Sequence, residues 1–477
     1  MSNYRHLYQL IEDVFNKDGI RELCMDVSLD TGVDLQFENL AGDTTRRKAQ
    51  ELQEFARRNQ ITPELLQAIH RAKPRVDLTQ FGGPEPNVAA PQNVEPDNGE
   101  QDAGQIAPAT APVTVYENFD ISIRPTGNKN EYLLEAESPY GETADSIRNL
   151  FPFDDDNYKY LANMLRDVQA SKPKFANELG EMLRRFLFPP QIQEEFSKSL
   201  SSARATGKDG LRVRLNINRE SNELYQVPWE FCRDDKAFLA VNDDTPLVRY
   251  MPTNRPPAPI KVPDTVKILL AWANPKDLVE LTGIQNEIDA IQEALKDFTQ
   301  TGKVVIEILP KATSAELFDR VSKNRPDIFH FIGHGDLDSS GGAIVLEDGG
   351  SGHVLLNGDL LLELFQGTNT KLIILSACQT GTMGEKSKKP ASAQAFMGLA
   401  PKLVWGGLPA VIAMQYDLPD RAARPFMKTL YEFLAMGKPL DWAMTKARLG
   451  LRFAILDKPY WGIPVLFMRA PDGNIWA

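Results

Sequence analysis

Cysteine is almost absent from this chain: there are three in 477 residues, at Cys24, Cys232 and Cys378. So wide a scatter gives no disulfide framework and no metal-knuckle spacing. It fits a reducing compartment, where one thiol beside a histidine can be catalytic. Long apolar runs are missing as well. None approaches the roughly 20 residues that span a bilayer. The start, Met-Ser-Asn-Tyr-Arg-His-Leu, lacks the basic opening and apolar core of a signal peptide. The expectation is a soluble, cytoplasmic protein with no membrane partner. Positive charge is in deficit: the formal net charge is −12 and the pI is near 5.1, which argues against direct binding of nucleic acid. No glycine-rich phosphate loop follows a strand and no ligand cluster stands out, so no cofactor and no metal are expected.

What is present divides into four stretches. Residues 1–75 read as a small helical bundle. Leu7, Leu10, Ile11, Val14 and Phe15 keep helical spacing, Asp43 or Thr44 can start a second helix, and Thr62-Pro63-Glu64 is a strong start signal. Residues 76–112 hold six prolines and six acidic residues with no Lys or Arg, and read as a flexible, acidic linker. Residues 113–258 mix strands, such as Leu211-Arg-Val-Arg-Leu-Asn-Ile, with a helix at 176–188 that Pro189-Pro190 stops. From 259 to 477 the pattern becomes regular α/β, a mostly parallel sheet flanked by helices.

Two apolar runs dominate this last stretch. One is Asp327-Ile-Phe-His-Phe-Ile-Gly-His334-Gly335, the other Lys371-Leu-Ile-Ile-Leu-Ser-Ala-Cys378-Gln-Thr-Gly381. Continuous apolar character marks strands buried on both faces of a parallel sheet. Each run ends at the carboxyl edge, where open α/β sheets place ligands and chemistry. A His and a Cys delivered there are the two halves of a thiol peptidase, because a neighbouring imidazole favours the nucleophilic thiolate. Attack on a peptide bond also needs donors for the developing oxyanion, and the backbone N–H groups of Gly335 and Cys378 are the candidates.

These residues carry a resemblance. From about 113 to 470 the chain resembles the CHAT family of caspase-like peptidases, related to caspases, separases and metacaspases. The likeness rests on Phe331-Ile-Gly-His-Gly, on Leu375-Ser-Ala-Cys-Gln-Thr-Gly, on Val227-Pro-Trp-Glu-Phe231, and on a block from Val411-Ile-Ala-Met-Gln through Asp420 and Arg448 to Trp461-Gly-Ile-Pro-Val-Leu. It implies a caspase-like fold, with His334 as general base or acid and Cys378 as nucleophile, acting on a protein substrate. Metacaspases and separases favour a basic residue before the scissile bond. The candidate acids for such a pocket are Asp417 and Asp420, with Pro425 expected in a helix's first turn and Asp420 in the loop or cap before it. Ser376 stands where metacaspases have an Asp.

Three features are read more plainly. His330 is four residues before His334, which on a strand puts it about 13 Å away, too far for a shared metal; it reads as a core histidine. His353 has no evident partner. Residues 336–352 read as a hairpin, or else a flap over the site, and 380–392 as a polar loop.

The 1–75 bundle looks like a bacterial effector-associated domain, a death-domain-like adaptor. That implies a homotypic partner protein and a place in prokaryotic defence or signalling. The alternative to a peptidase is a catalytically silent caspase-like scaffold, against which intact His334, Gly335 and Cys378 weigh.

Overall fold

The computed structural model describes residues 7–15, 20, 23–24, 27–28, 31, 33, 35–37, 40, 44–59, 61–72 and 78–81, and then 115–474 apart from 144, 168–169, 235–236, 253–264, 377 and 380–391. The chain forms two compact units, Met1–Ala107 and Pro108–Ala477.

In the first unit, helices span Leu7–Val14, Thr45–Arg58 and Thr62–Ala72. Thr44 caps the second by accepting the N–H of Arg47, as its hydroxyl suits it to do. Leu7, Ile11, Phe15, Ala49, Leu52, Ala56, Leu65 and Ile69 fill one core. Leu78 and Phe81 are buried in that same core around a short 3₁₀ turn at Thr79–Phe81. The packed bundle therefore reaches beyond residue 75, into what reads by composition as linker; the rest of that stretch, 76–77 and 82–112, lies outside the described residues.

The second unit is built on one large sheet. Its upstream part supplies β1 (Tyr116–Pro125), β2 (Glu131–Ser138), β3 (Gly141–Glu142), β4 (Ile147–Leu150), β5 (Gly210–Ile217) and β6 (Leu247–Tyr250). The later part adds β7 (Val266–Trp272), β8 (Val304–Leu309) and β9 (Ile328–Ile332), the hairpin strands β10 (Gly335–Asp338), β11 (Gly341–Glu347) and β12 (His353–Asn357), then β13 (Leu372–Ser376), β14 (Cys378–Gln379), β15 (Ala410–Met414), β16 (Leu418–Pro419) and β17 (Pro464–Met468). The main order is β3-β2-β1-β5-β6-β17-β15-β13-β9-β7-β8, with β4 beside β2. From β15 to β8 every neighbour is parallel, while β17 is antiparallel to β15 and parallel to β6. The upstream stretch thus continues the same sheet through the β6–β17 seam.

Strands β9, β13, β15 and β17 are buried along their whole length, as their unbroken apolar runs require. By contrast β1 alternates over Phe119, Ile121 and Ile123, the mark of a strand buried on one face. Helices cover the sheet at Asp156–Arg166, Pro173–Leu187, Pro190–Ala205, Ile284–Ala294, Lys296–Gln300, Ser314–Asn324, Gly358–Phe365, Ser392–Trp405, Asp420–Ala435 and Leu440–Ala454. Pro189-Pro190 does end one helix, yet Pro190 also opens the next at its first position, where its missing N–H costs nothing. Residues 335–357 form a three-stranded antiparallel sheet, so the segment after His334 is an ordered hairpin.

Candidate active site

Neighbouring strands β9 and β13 run in register, with Ser376 opposite Ile332. His334 lies two residues past Ile332 and Cys378 two residues past Ser376, so both stand at equivalent places on the carboxyl edge. Gly333 N–H donates to the Ser376 carbonyl at 3.0 Å, joining the two strand ends. Beyond it, β14 pairs in parallel with β16, placing Cys378 opposite Leu418. The nucleophile candidate is therefore flanked by the ends of β9 and of the segment after β15.

The His334 side chain is fully buried. Its Nε2 lies 2.7 Å from the Val279 carbonyl oxygen. A carbonyl can only accept, so Nε2 carries the proton and the neutral ring keeps its lone pair on Nδ1. Nδ1 is buried and has no hydrogen-bond partner among the described residues. Burial is the largest influence on this ring and pushes its pKa below the usual histidine value. The Val279 carbonyl, Asp417 and Asp336 pull the other way, and His353 adds to the lowering. A neutral imidazole with a free, fixed Nδ1 is the form a general base needs.

Gly335 behaves differently from the expectation that its N–H is open to a substrate. That N–H donates to Ser392 Oγ at 3.0 Å, and Ser392 Oγ donates back to the Gly335 carbonyl at 3.2 Å. Ser392 is buried at the start of the Ser392–Trp405 helix, whose Phe396 ring would lie 2.5 Å from a Cβ at Gly335. Glycine is needed because this helix presses directly on the backbone.

The two candidate acids have separate places. Asp417 follows β15 and acts electrostatically on His334. Asp420 is the first residue of the Asp420–Ala435 helix, not part of a preceding loop. Pro425 sits one turn further in than its preference for the first turn suggests. Asp420 Oδ2 accepts from the Thr282 hydroxyl at 3.0 Å, and its Oδ1 is buried without a hydrogen-bond partner. A Cβ at Gly283 would lie 2.2 Å from that Oδ1. Asp420 thus closes against the 279–283 loop, the one that supplies the Val279 carbonyl.

Below the strand ends is a buried polar network. Glu287 Oε2 accepts from the Ser376 hydroxyl at 3.0 Å, and Oε1 lies 3.0 Å from His330 Nε2. His330 Nδ1 is 3.0 Å from the Tyr431 hydroxyl, and the two rings stack. His330 is a satisfied core histidine, as its strand position indicates. Burial, and then Glu287, drive the Tyr431 pKa well above its usual value. Glu287 escaped the sequence reading, though it left a signal: it occupies the apolar stripe of Ile284, Ile288 and Ile291, where a carboxylate must find partners. His353 finds its partner in Asp277, with Nδ1 2.7 Å from the carboxylate.

The architecture is that of an α/β protein with a mostly parallel central sheet, in which a histidine and a cysteine follow the ends of two adjacent strands at the carboxyl edge. A sequence model of the CHAT domain matches residues 177–462, and one of effector-associated domain 7 matches residues 7–74. The chain belongs to the CHAT-domain family, with an effector-associated domain at its amino end. No curated protein matches it. Among solved structures it is similar to Saccharomyces cerevisiae separase in complex with securin (TM-score 0.39, 11% identity, 74% of this chain and 30% of that one). It is also similar to caspase-1 from Spodoptera frugiperda (TM-score 0.28, 14% identity, 46% of this chain and 92% of that one). The chain spans less than a third of the separase chain. No helix among the described residues is long and apolar enough to cross a membrane.

Proposed function

We propose that this protein is a regulated Cys–His endopeptidase in which Cys378 attacks the scissile carbonyl and His334 takes and returns the proton. The observation that carries this reading is the shared register: His334 and Cys378 stand two residues beyond one matched pair, Ile332 and Ser376, on adjacent parallel strands. In the reaction, the Cys378 thiol proton passes to His334 Nδ1 as the sulfur–carbon bond forms. The imidazolium then gives that proton to the departing amine, and water hydrolyses the thioester. Val279 holds the ring in the tautomer that this sequence needs. The Cys378 backbone N–H is one oxyanion donor in this scheme and Gly335 N–H the second, once Ser392 gives it up.

Cleavage follows Arg or Lys. Asp420 supports this preference, since its buried Oδ1 has no hydrogen-bond partner and such an oxygen is costly until a cation reaches it; Asp417, three residues before it, adds negative charge to the same segment. The effector-associated domain brings the enzyme to a homotypic partner in a prokaryotic defence or signalling system, as an adaptor tethered to an effector would.

The test is hydrolysis of fluorogenic peptides ending in Arg, Lys or Asp by the wild type and by Cys378→Ala. Cys378-dependent turnover of the basic peptides is expected. Turnover that survives Cys378→Ala contradicts the nucleophile, and preference for Asp contradicts the pocket.

A further inference from the structure

The motifs that carry the family resemblance but hold no reactive group converge on one buried cluster. Glu230, from Trp229-Glu-Phe, and Arg249, on β6, form an ion pair at 2.7 Å with both side chains 1% exposed. Arg249 also donates to the carbonyls of Tyr225 and Val227. Arg448 lies 3.9 Å from Glu230 and holds the Pro464 carbonyl. Into this cluster projects Gln415, the residue after β15. Its Nε2 donates to Glu230 Oε2 at 2.9 Å and to the Gly462 carbonyl at 2.6 Å. Its Oε1 accepts from Arg249 at 3.3 Å, and its backbone N–H donates to the Ile463 carbonyl at 3.0 Å. Both amide hydrogens and the amide oxygen are engaged, which fixes the orientation of the side chain.

Gln415 opens the short segment that furnishes three features of the site. Asp417 acts on His334, Leu418 is paired with Cys378, and Asp420 is joined to Thr282. A merely packed position would be served as well by an apolar residue, because buried polar clusters are seldom a net gain in stability. A saturated amide fixes direction as well as depth.

We infer that Gln415 is a positioning residue, clamped by Glu230 and Arg249, through which the upstream half of the sheet sets the substrate-reading segment 415–420 against the dyad. The inference rests on the peptidase reading above. It assigns the upstream half a part in substrate recognition, although that half carries none of the reacting groups.

The experiment uses the full chain and compares wild type with Gln415→Leu, Gln415→Asn and the exchanged pair Glu230→Gln with Gln415→Glu. Four quantities are read: kcat, KM, the ratio of kcat/KM for Arg over norleucine peptides, and the rate at which iodoacetamide labels Cys378. Losing a hydrogen bond to a charged partner predicts, for Gln415→Leu, a KM for Arg peptides raised about tenfold and an Arg ratio lowered about as much. The labelling rate should stay within about twofold, because the small reagent needs no pocket. Gln415→Asn, which keeps the amide but shortens it, should fall between. The exchanged pair restores an amide–carboxylate contact but sets a carboxylate oxygen against the Gly462 carbonyl, where Gln415 had donated, so it should recover only part of the ratio. Folded variants with unchanged KM and unchanged ratio overturn the inference, as does a fall in labelling equal to the fall in turnover. If Gln415→Leu and Gln415→Asn both fail to fold, the residue is structural and the inference is wrong. Absence of turnover and of Cys378 labelling in the wild type would instead defeat the peptidase reading, before any variant is compared.

Discussion

Ser392 Oγ sits between the two backbone groups of Gly335, accepting its N–H at 3.0 Å and donating to its carbonyl at 3.2 Å. The donor suited to a substrate oxyanion is thus used inside the fold. Ser392→Ala should raise kcat several-fold, by freeing that N–H for the transition state. It should also lower folding stability by about 1–3 kcal/mol, because the resting protein then buries an unpartnered donor. Steady-state kinetics and denaturant unfolding check the two effects, and a fall in kcat would mean that Ser392 serves catalysis directly.

The buried position of His334 sets a pH dependence. Its pKa lies below the usual histidine value, chiefly through burial, so the ring stays neutral and able to accept a proton into mildly acidic solution. The acid limb of kcat/KM should therefore fall below the ordinary histidine midpoint of 6.5. Asp417 opposes the lowering, so Asp417→Asn should move that limb further down. A limb that moves up would contradict the sign.

Glu287 answers for two buried donors. Glu287→Leu removes the carboxylate that accepts from the Ser376 hydroxyl and faces His330 Nε2, and should lower stability by about 1–3 kcal/mol. Glu287→Gln keeps the volume and part of the bonding and should be milder. Urea unfolding of the two variants gives the order.

Leu78 and Phe81 complete the core of the amino-terminal bundle. A fragment of residues 1–81 should therefore be more stable than 1–75, since each large apolar side chain contributes about 1.5–3 kcal/mol when buried. Thermal melts of the two fragments measure the difference.

Much of this was legible in the sequence, for physical reasons that also explain the rest. Strands β9, β13 and β15 declare themselves because a strand buried on both faces can carry almost nothing but apolar residues. The places of His334 and Cys378 follow from where those runs end. Leu78 and Phe81 were hidden by the proline and acid around them. Pro190 was read as a stop because it cannot extend a helix, although it can begin one. Val279 acts through a carbonyl that every residue owns, and so leaves no trace in the sequence. Gln415 lies 166 residues beyond Arg249, and the seam between β6 and β17 brings it to Arg249 and Glu230.

The most direct test of the dyad is covalent capture. The full chain is treated with a peptidyl chloromethyl ketone bearing Arg next to the warhead, and intact mass is read for wild type, Cys378→Ala and His334→Ala. The account predicts one adduct on the wild type, mapped to Cys378, none on Cys378→Ala, and strongly slowed labelling of His334→Ala. An adduct on Cys24 or Cys232, or labelling of His334→Ala at the wild-type rate, would contradict it.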